Sequence, residues 1–125
     1  MKKYREIAVI APKQMLTAFS VLINSRPNQS LLASGASFDE LQTSLGEKKP
    51  DVVLVYLVPG NGENFDKLDC VTITRIKTTW PETFSVIIVK YPSQLEMALE
   101  NGADLALVDG VNAQRLLAAI EGKFQ

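Results

Sequence analysis

Three side chains of this 125-residue chain stand where chemistry could be done: Tyr56, Lys90 and Asp109, each at or just past the end of an apolar run. A phenol, an ammonium and a carboxylate brought together could share protons as an acid–base trio. The simpler expectation is that Tyr56 fills a pocket while Lys90 and Asp109 neutralise one another, because the chain has no histidine and no cluster of metal-ligand residues. Gly60-Asn61-Gly62 follows a strand-like run, but it lacks the third glycine and acidic partner of a dinucleotide site and reads as a turn. Cys70 is the lone cysteine, so no intrachain disulfide can form, and the expectation is a small core residue. Trp80, before Pro81, reads as packing at a helix end.

These residues need elements to place them, and the pattern supplies five strand–helix pairs. Asp51 to Gly60 is the central one: Val52-Val53-Leu54-Val55-Tyr56-Leu57-Val58, ended by Pro59-Gly60, is the unbroken run of a strand buried on both faces. Ile7 to Ala11, Ser30 to Ser34, Val86 to Val89 and Leu105 to Val108 supply four more. Between them, Met15, Leu16, Phe19, Leu22 and Ile23 recur at helical spacing; Ser37 with Glu40, and Ser93 with Glu96, form capping boxes; Gly46 and Gly102 end helices; Asn112 caps the last. A threonine-rich helix carries Leu68, Val71, Ile73 and Ile76.

Strict alternation predicts an α/β fold, a three-layer sandwich with a five-stranded parallel sheet and five helices. Right-handed crossovers favour the flavodoxin-like order 2-1-3-4-5. Residues 1–125 read as a single domain with no linker or repeat. A net charge of −1 with scattered basic residues gives no footprint for nucleic acid. The longest apolar run is far short of the about 18 residues that span a bilayer, and the basic start Met1 to Arg5 precedes too short an apolar run for a signal peptide. A soluble, cytoplasmic protein is expected.

Lys49-Pro50-Asp51-Val52-Val53-Leu54-Val55, Trp80-Pro81, Val86-Ile87-Ile88-Val89 and Ala98-Leu99-Glu100-Asn101-Gly102-Ala103-Asp104 carry a resemblance that runs from Ala18 to the end. The chain resembles the receiver domains of two-component response regulators, the CheY-like superfamily, most of all those joined to helix-turn-helix DNA-binding domains. The resemblance implies an aspartate closing the third strand that takes a phosphoryl group from a histidine kinase. It also implies a magnesium ion held by an acidic pair after the first strand. At those positions this chain has Tyr56 and the carboxylate-free Ile10-Ala11-Pro12; Lys90 stands for a Ser/Thr, Asp109 for a lysine, and Ala106 for an aromatic switch residue.

Phosphoryl transfer depends on positioning and charge neutralisation, so these replacements together remove what lowers its barrier. The expectation is a degenerate receiver with a vestigial pocket at Pro12, Tyr56, Lys90 and Asp109. It would have no catalytic residues, metal or cofactor, and would work by binding a protein partner or itself rather than DNA or a membrane, within a longer DNA-binding parent or alone. Gln94, Met97 and Arg115 are the candidate exposed contacts, on the surface where receivers pair. Asp66 and Asp69 are candidate substitute acceptors, and a small-ligand sensor using the carboxyl-edge pocket is the alternative; an enzyme is disfavoured.

Overall fold

The computed structural model describes residues 5–57 and 70–121. Strands β1 (Arg5–Ile10), β2 (Gln29–Gly35), β3 (Val52–Leu57), β4 (Phe84–Val89) and β5 (Leu105–Val108) are all parallel and lie in the order β2-β1-β3-β4-β5. Helices α1 (Lys13–Asn24), α2 (Phe38–Leu45), α3 (Cys70–Thr79), α4 (Leu95–Glu100) and α5 (Ala113–Ile120) alternate with them. The flavodoxin-like three-layer sandwich expected from the alternation is the fold observed.

Strand period decides which residue faces which layer. Val53 and Val55 of β3 pack with Phe38, Leu41 and Leu45 of α2, Ile73 and Ile76 of α3, and Ala98 of α4. Val52 and Leu54 turn the other way, into a second cluster with Phe19 and Ile23 of α1 and Leu116, Ala119 and Ile120 of α5. Val53, Leu54 and Val55 are fully buried, which is why the run has no polar position; each such side chain contributes about 1.5–3 kcal/mol of burial. Tyr56 continues the α1–α5 side of β3.

The residues that carry the family resemblance are largely fasteners at the amino edge of the sheet. The Asp51 carboxylate accepts the Glu6 N–H at 2.8 Å, and the Asp104 carboxylate accepts the Ser85 N–H at 2.8 Å, so each pins the start of a neighbouring strand. Trp80 is buried with its ring 5.2 Å from that of Phe38. Gly102, at φ 114°, ends α4 with its N–H and that of Ala103 donating back to Leu99 and Ala98, the left-handed turn that favours glycine.

Three local expectations need correction. Ser93 and Glu96 do not start α4: a 3₁₀ turn at Pro92–Gln94 precedes it, and the Gln94 side chain reaches back to accept the N–H groups of Lys90 and Tyr91 at 3.1 and 3.0 Å. Pro92 sits at the first position of that turn, where its missing N–H costs nothing. Val71 is exposed, not part of the inward stripe, since Ile73 and Ile76 already define the buried side of α3. Cys70 is half-buried at the first residue of α3 and not a core residue. Ser37 caps α2 as expected, its hydroxyl accepting the Glu40 N–H at 3.2 Å, and Asn112 caps α5, accepting from Arg115 N–H at 2.8 Å.

Candidate functional site at the carboxyl edge of the sheet

Tyr56 pairs with Ile88 in the β3–β4 ladder, one residue before the ladder ends at Leu57 and Val89. Its ring is half-buried and lies 5.9 Å from the Phe19 ring of α1, tilted by 57°, within the range of favourable edge-to-face contact. Its hydroxyl donates to Asp109 Oδ1 at 3.0 Å. Because β4 lies between β3 and β5, the phenol reaches over the end of one strand to a residue two strands away, on the order of 10 Å at ordinary strand spacing. Burial, the hydrogen bond to Asp109 and the negative charge of that carboxylate push the Tyr56 hydroxyl up to about 12. At neutral pH it is therefore a donor, neither a nucleophile nor a base.

Asp109 follows the last residue of β5 and is exposed, with its own N–H donating to Val89 O at 2.8 Å. The expected neutralisation by Lys90 is not what forms: among the described residues, Asp109 and Lys90 make no ion pair, and the carboxylate takes the Tyr56 hydroxyl instead. Lys90 lies in the bend after β4, where its N–H is held by Gln94. The expected neighbourhood of Tyr56 and Asp109 is present, but the pairing within it is tyrosine with aspartate. Phe19 is the residue that sequence reasoning left out of this site; its position on the inward stripe of α1, facing the same layer as Tyr56, was the available signal.

Pro12 is half-buried at the N-terminal cap position of α1, with φ −56° and ψ 147° and no side-chain cap, and its carbonyl accepts the Met15 N–H at 2.9 Å. A magnesium site needs several hard oxygen ligands, usually carboxylates. Of Pro12, Tyr56, Lys90 and Asp109, only Asp109 offers a carboxylate, and one of its oxygens already accepts the phenol. Among the described residues no three histidine, cysteine or acidic side chains converge. Among the described residues, those at this edge do not fit the ion that the receiver resemblance implies.

Of the proposed contact residues, Met97 and Arg115 are exposed, whereas Gln94 is buried, at 5% exposure, because its side chain is spent on the turn before α4. Gly60, Asn61, Gly62, Asp66, Asp69 and Leu68 lie outside the described residues. Among the described residues no helix is long and apolar enough to cross a membrane.

No family model matches the chain. Over 111 residues it is 27% identical to the oxygen regulatory protein NreC of Staphylococcus haemolyticus, a match covering 87% of this chain and 49% of that protein. The same protein of Staphylococcus aureus is 28% identical over 111 residues, again 87% and 49%. The chain thus spans about half the length of the curated relatives it matches. Among solved structures, the RcsB response regulator of Salmonella typhimurium superposes with a TM-score of 0.78 at 13% identity, covering 98% of this chain and 62% of that one. A LuxR-family two-component response regulator from Aurantimonas gives 0.75 at 20% identity, over 96% and 84%. A CheY-like receiver domain protein from Methanospirillum hungatei gives 0.75 at 14% identity, over 96% and 93%. The fold is that of the response-regulator receiver domains.

Proposed function

We propose that this chain is a receiver domain of signal transduction whose phosphoacceptor site no longer works, and that it acts by protein–protein contact. The observation that carries the reading is the phenol of Tyr56, standing at the end of β3 and donating to Asp109 at 3.0 Å. A receiver that accepts phosphate needs an ionised nucleophile there, a metal beside it and a cation to meet the incoming charge. Tyr56 supplies a neutral donor, and Asp109 supplies a negative charge that repels phosphate at short range.

The relatives extend the reading. NreC is an oxygen regulatory protein about twice the length of this chain, and the Aurantimonas neighbour belongs to the LuxR family of response regulators. We place this chain in the cytoplasm in the same role: an input module passing a state to a partner protein, or to a DNA-binding domain within a longer parent.

The experiment is titration with beryllofluoride and magnesium, which together mimic the phosphorylated state of a working receiver. Trp80 fluorescence and the backbone amide spectrum are expected to stay unchanged. A saturable response that requires magnesium would overturn the reading.

A further inference from the structure

The amino edge of the sheet has a concavity of its own, at the other end of β3 from Tyr56, where β3 and β4 begin. Val52 pairs with Phe84 at the start of the β3–β4 ladder, so the segments leading in, Lys49 to Asp51 and Trp80 to Thr83, arrive side by side. Hydrogen bonds stitch them together. The Thr83 hydroxyl donates to Pro50 O at 2.8 Å, Phe84 N–H to Asp51 O at 3.0 Å, and Thr83 N–H back to Trp80 O at 3.0 Å. Between the segments lies a cavity of about 410 Å³, an ordinary size for a small-molecule site. Its lining joins buried Pro50, Trp80 and Thr83 to exposed Lys49, Pro81 and Glu82.

Two features of this lining are left over once packing is accounted for. Trp80 is only 5% exposed, yet its indole N–H has no acceptor among the described residues. No side-chain nitrogen or oxygen there is both sealed from solvent and unpartnered, so this N–H opens onto space, and the cavity is the space that Trp80 lines. A donor on so buried a ring ordinarily finds a partner; here the partner has to come from outside. Lys49 and Glu82 are the second feature. An ammonium and a carboxylate stand on adjoining segments of the lining, and among the described residues neither forms an ion pair, with the other or with any third group. The Asp51 carboxylate on the same wall accepts the Glu6 N–H of β1.

We propose that this amino-edge cavity binds a free α-amino acid with a short side chain. The charges select that class. A plain anion would meet Lys49 but also the carboxylates of Glu82 and Asp51. A plain cation would meet those carboxylates but also Lys49, and it would leave the indole N–H without an acceptor. A zwitterion answers both: its carboxylate accepts from the Trp80 N–H and pairs with the Lys49 ammonium, while its own ammonium pairs with Glu82. Pro81 and the Trp80 ring offer an apolar wall to a small side chain. The inference goes beyond the proposed function by supplying an input other than phosphate, and it stands or falls whatever happens at the carboxyl edge.

Trp80 is the only tryptophan of the chain, so its fluorescence reads the cavity itself. The full chain is titrated with millimolar glycine, L-alanine, L-serine and L-proline, in EDTA to exclude a metal-dependent response, and the backbone amide spectrum is followed alongside. At least one of the four is expected to saturate, shifting the emission and the amides of Asp51 and Thr83 while leaving those of Tyr56 and Asp109 in place. Amidation of that ligand's carboxylate is expected to weaken binding by roughly tenfold or more, because the indole N–H then loses a charged acceptor. N-acetylation, Lys49→Gln and Glu82→Gln are each expected to weaken it about threefold, the scale of an exposed charge pair. Trp80→Phe, followed by the amide shifts, is expected to match the effect of amidation; if it does not fold, the modified ligands and the two exposed-site variants decide. No saturable response to any of the four amino acids overturns the inference. So does undiminished binding of the amidated form, and so do shifts confined to Tyr56 and Asp109, which would place the ligand at the other edge.

Discussion

At the scale of single residues, Tyr56, one residue before the end of β3, donates its O–H to the carboxylate of Asp109, two strands away. Such a bond, to a charged acceptor that is itself exposed, contributes about 1 kcal/mol at most. Tyr56→Phe should therefore destabilise by roughly that amount in urea unfolding and leave the ring's contact with Phe19 in place. A double-mutant cycle should find Tyr56 and Asp109 coupled by several tenths of a kcal/mol and Lys90 and Asp109 additive; the reverse result would restore the lysine–aspartate pair. The pH dependence follows from the raised pKa. Below about 10 the phenol is protonated in both folded and unfolded chains, so its contribution is complete; between about 10 and about 12 the unfolded phenol ionises first and stability falls as pH rises. Ultraviolet titration of Asp109→Asn should bring the Tyr56 midpoint down, though not to its ordinary value, because burial is the larger cause.

The elements were legible in the sequence wherever hydrophobic period was strong and residue roles were local. Val52–Val55 admits no polar face, so it had to be a strand covered on both sides, and the order of the sheet followed from alternation and handedness. Caps with one dominant interaction, Ser37 and Asn112, were also readable. What failed were positions where a polar side chain is recruited by a bend. Gln94 looks like a surface residue in sequence, yet it is buried because two backbone N–H groups at Lys90 and Tyr91 need an acceptor. Gln94→Ala should cost about 1–3 kcal/mol, more than an exposed glutamine could, and should loosen the start of α4 in hydrogen exchange. Gly102→Ala should cost about 1 kcal/mol or more, since φ is 114° there and the new Cβ would meet Lys77 Cβ at 3.1 Å. The tyrosine–aspartate bond was hidden for another reason: it joins strands that are not neighbours, and the local charge pattern pointed to the adjacent Lys90.

Over the whole molecule, the two edges of the sheet tell different stories. At the amino edge Asp51 and Asp104 clamp strand starts, and these are among the residues that make the chain look like a receiver. At the carboxyl edge, where open parallel sheets place their chemistry, Ile10-Ala11-Pro12 ends and follows β1 and Tyr56 stands one residue before the end of β3. In the function proposed above the scaffold is kept without the donor set for magnesium, so restoring one residue should not restore function: Tyr56→Asp alone is expected to remain unphosphorylated. The most direct measurement is the intact mass of the wild-type protein after incubation with acetyl phosphate and magnesium, read before and after hydroxylamine. The account predicts an unchanged mass in both; a gain of one phosphoryl group that hydroxylamine removes would contradict it.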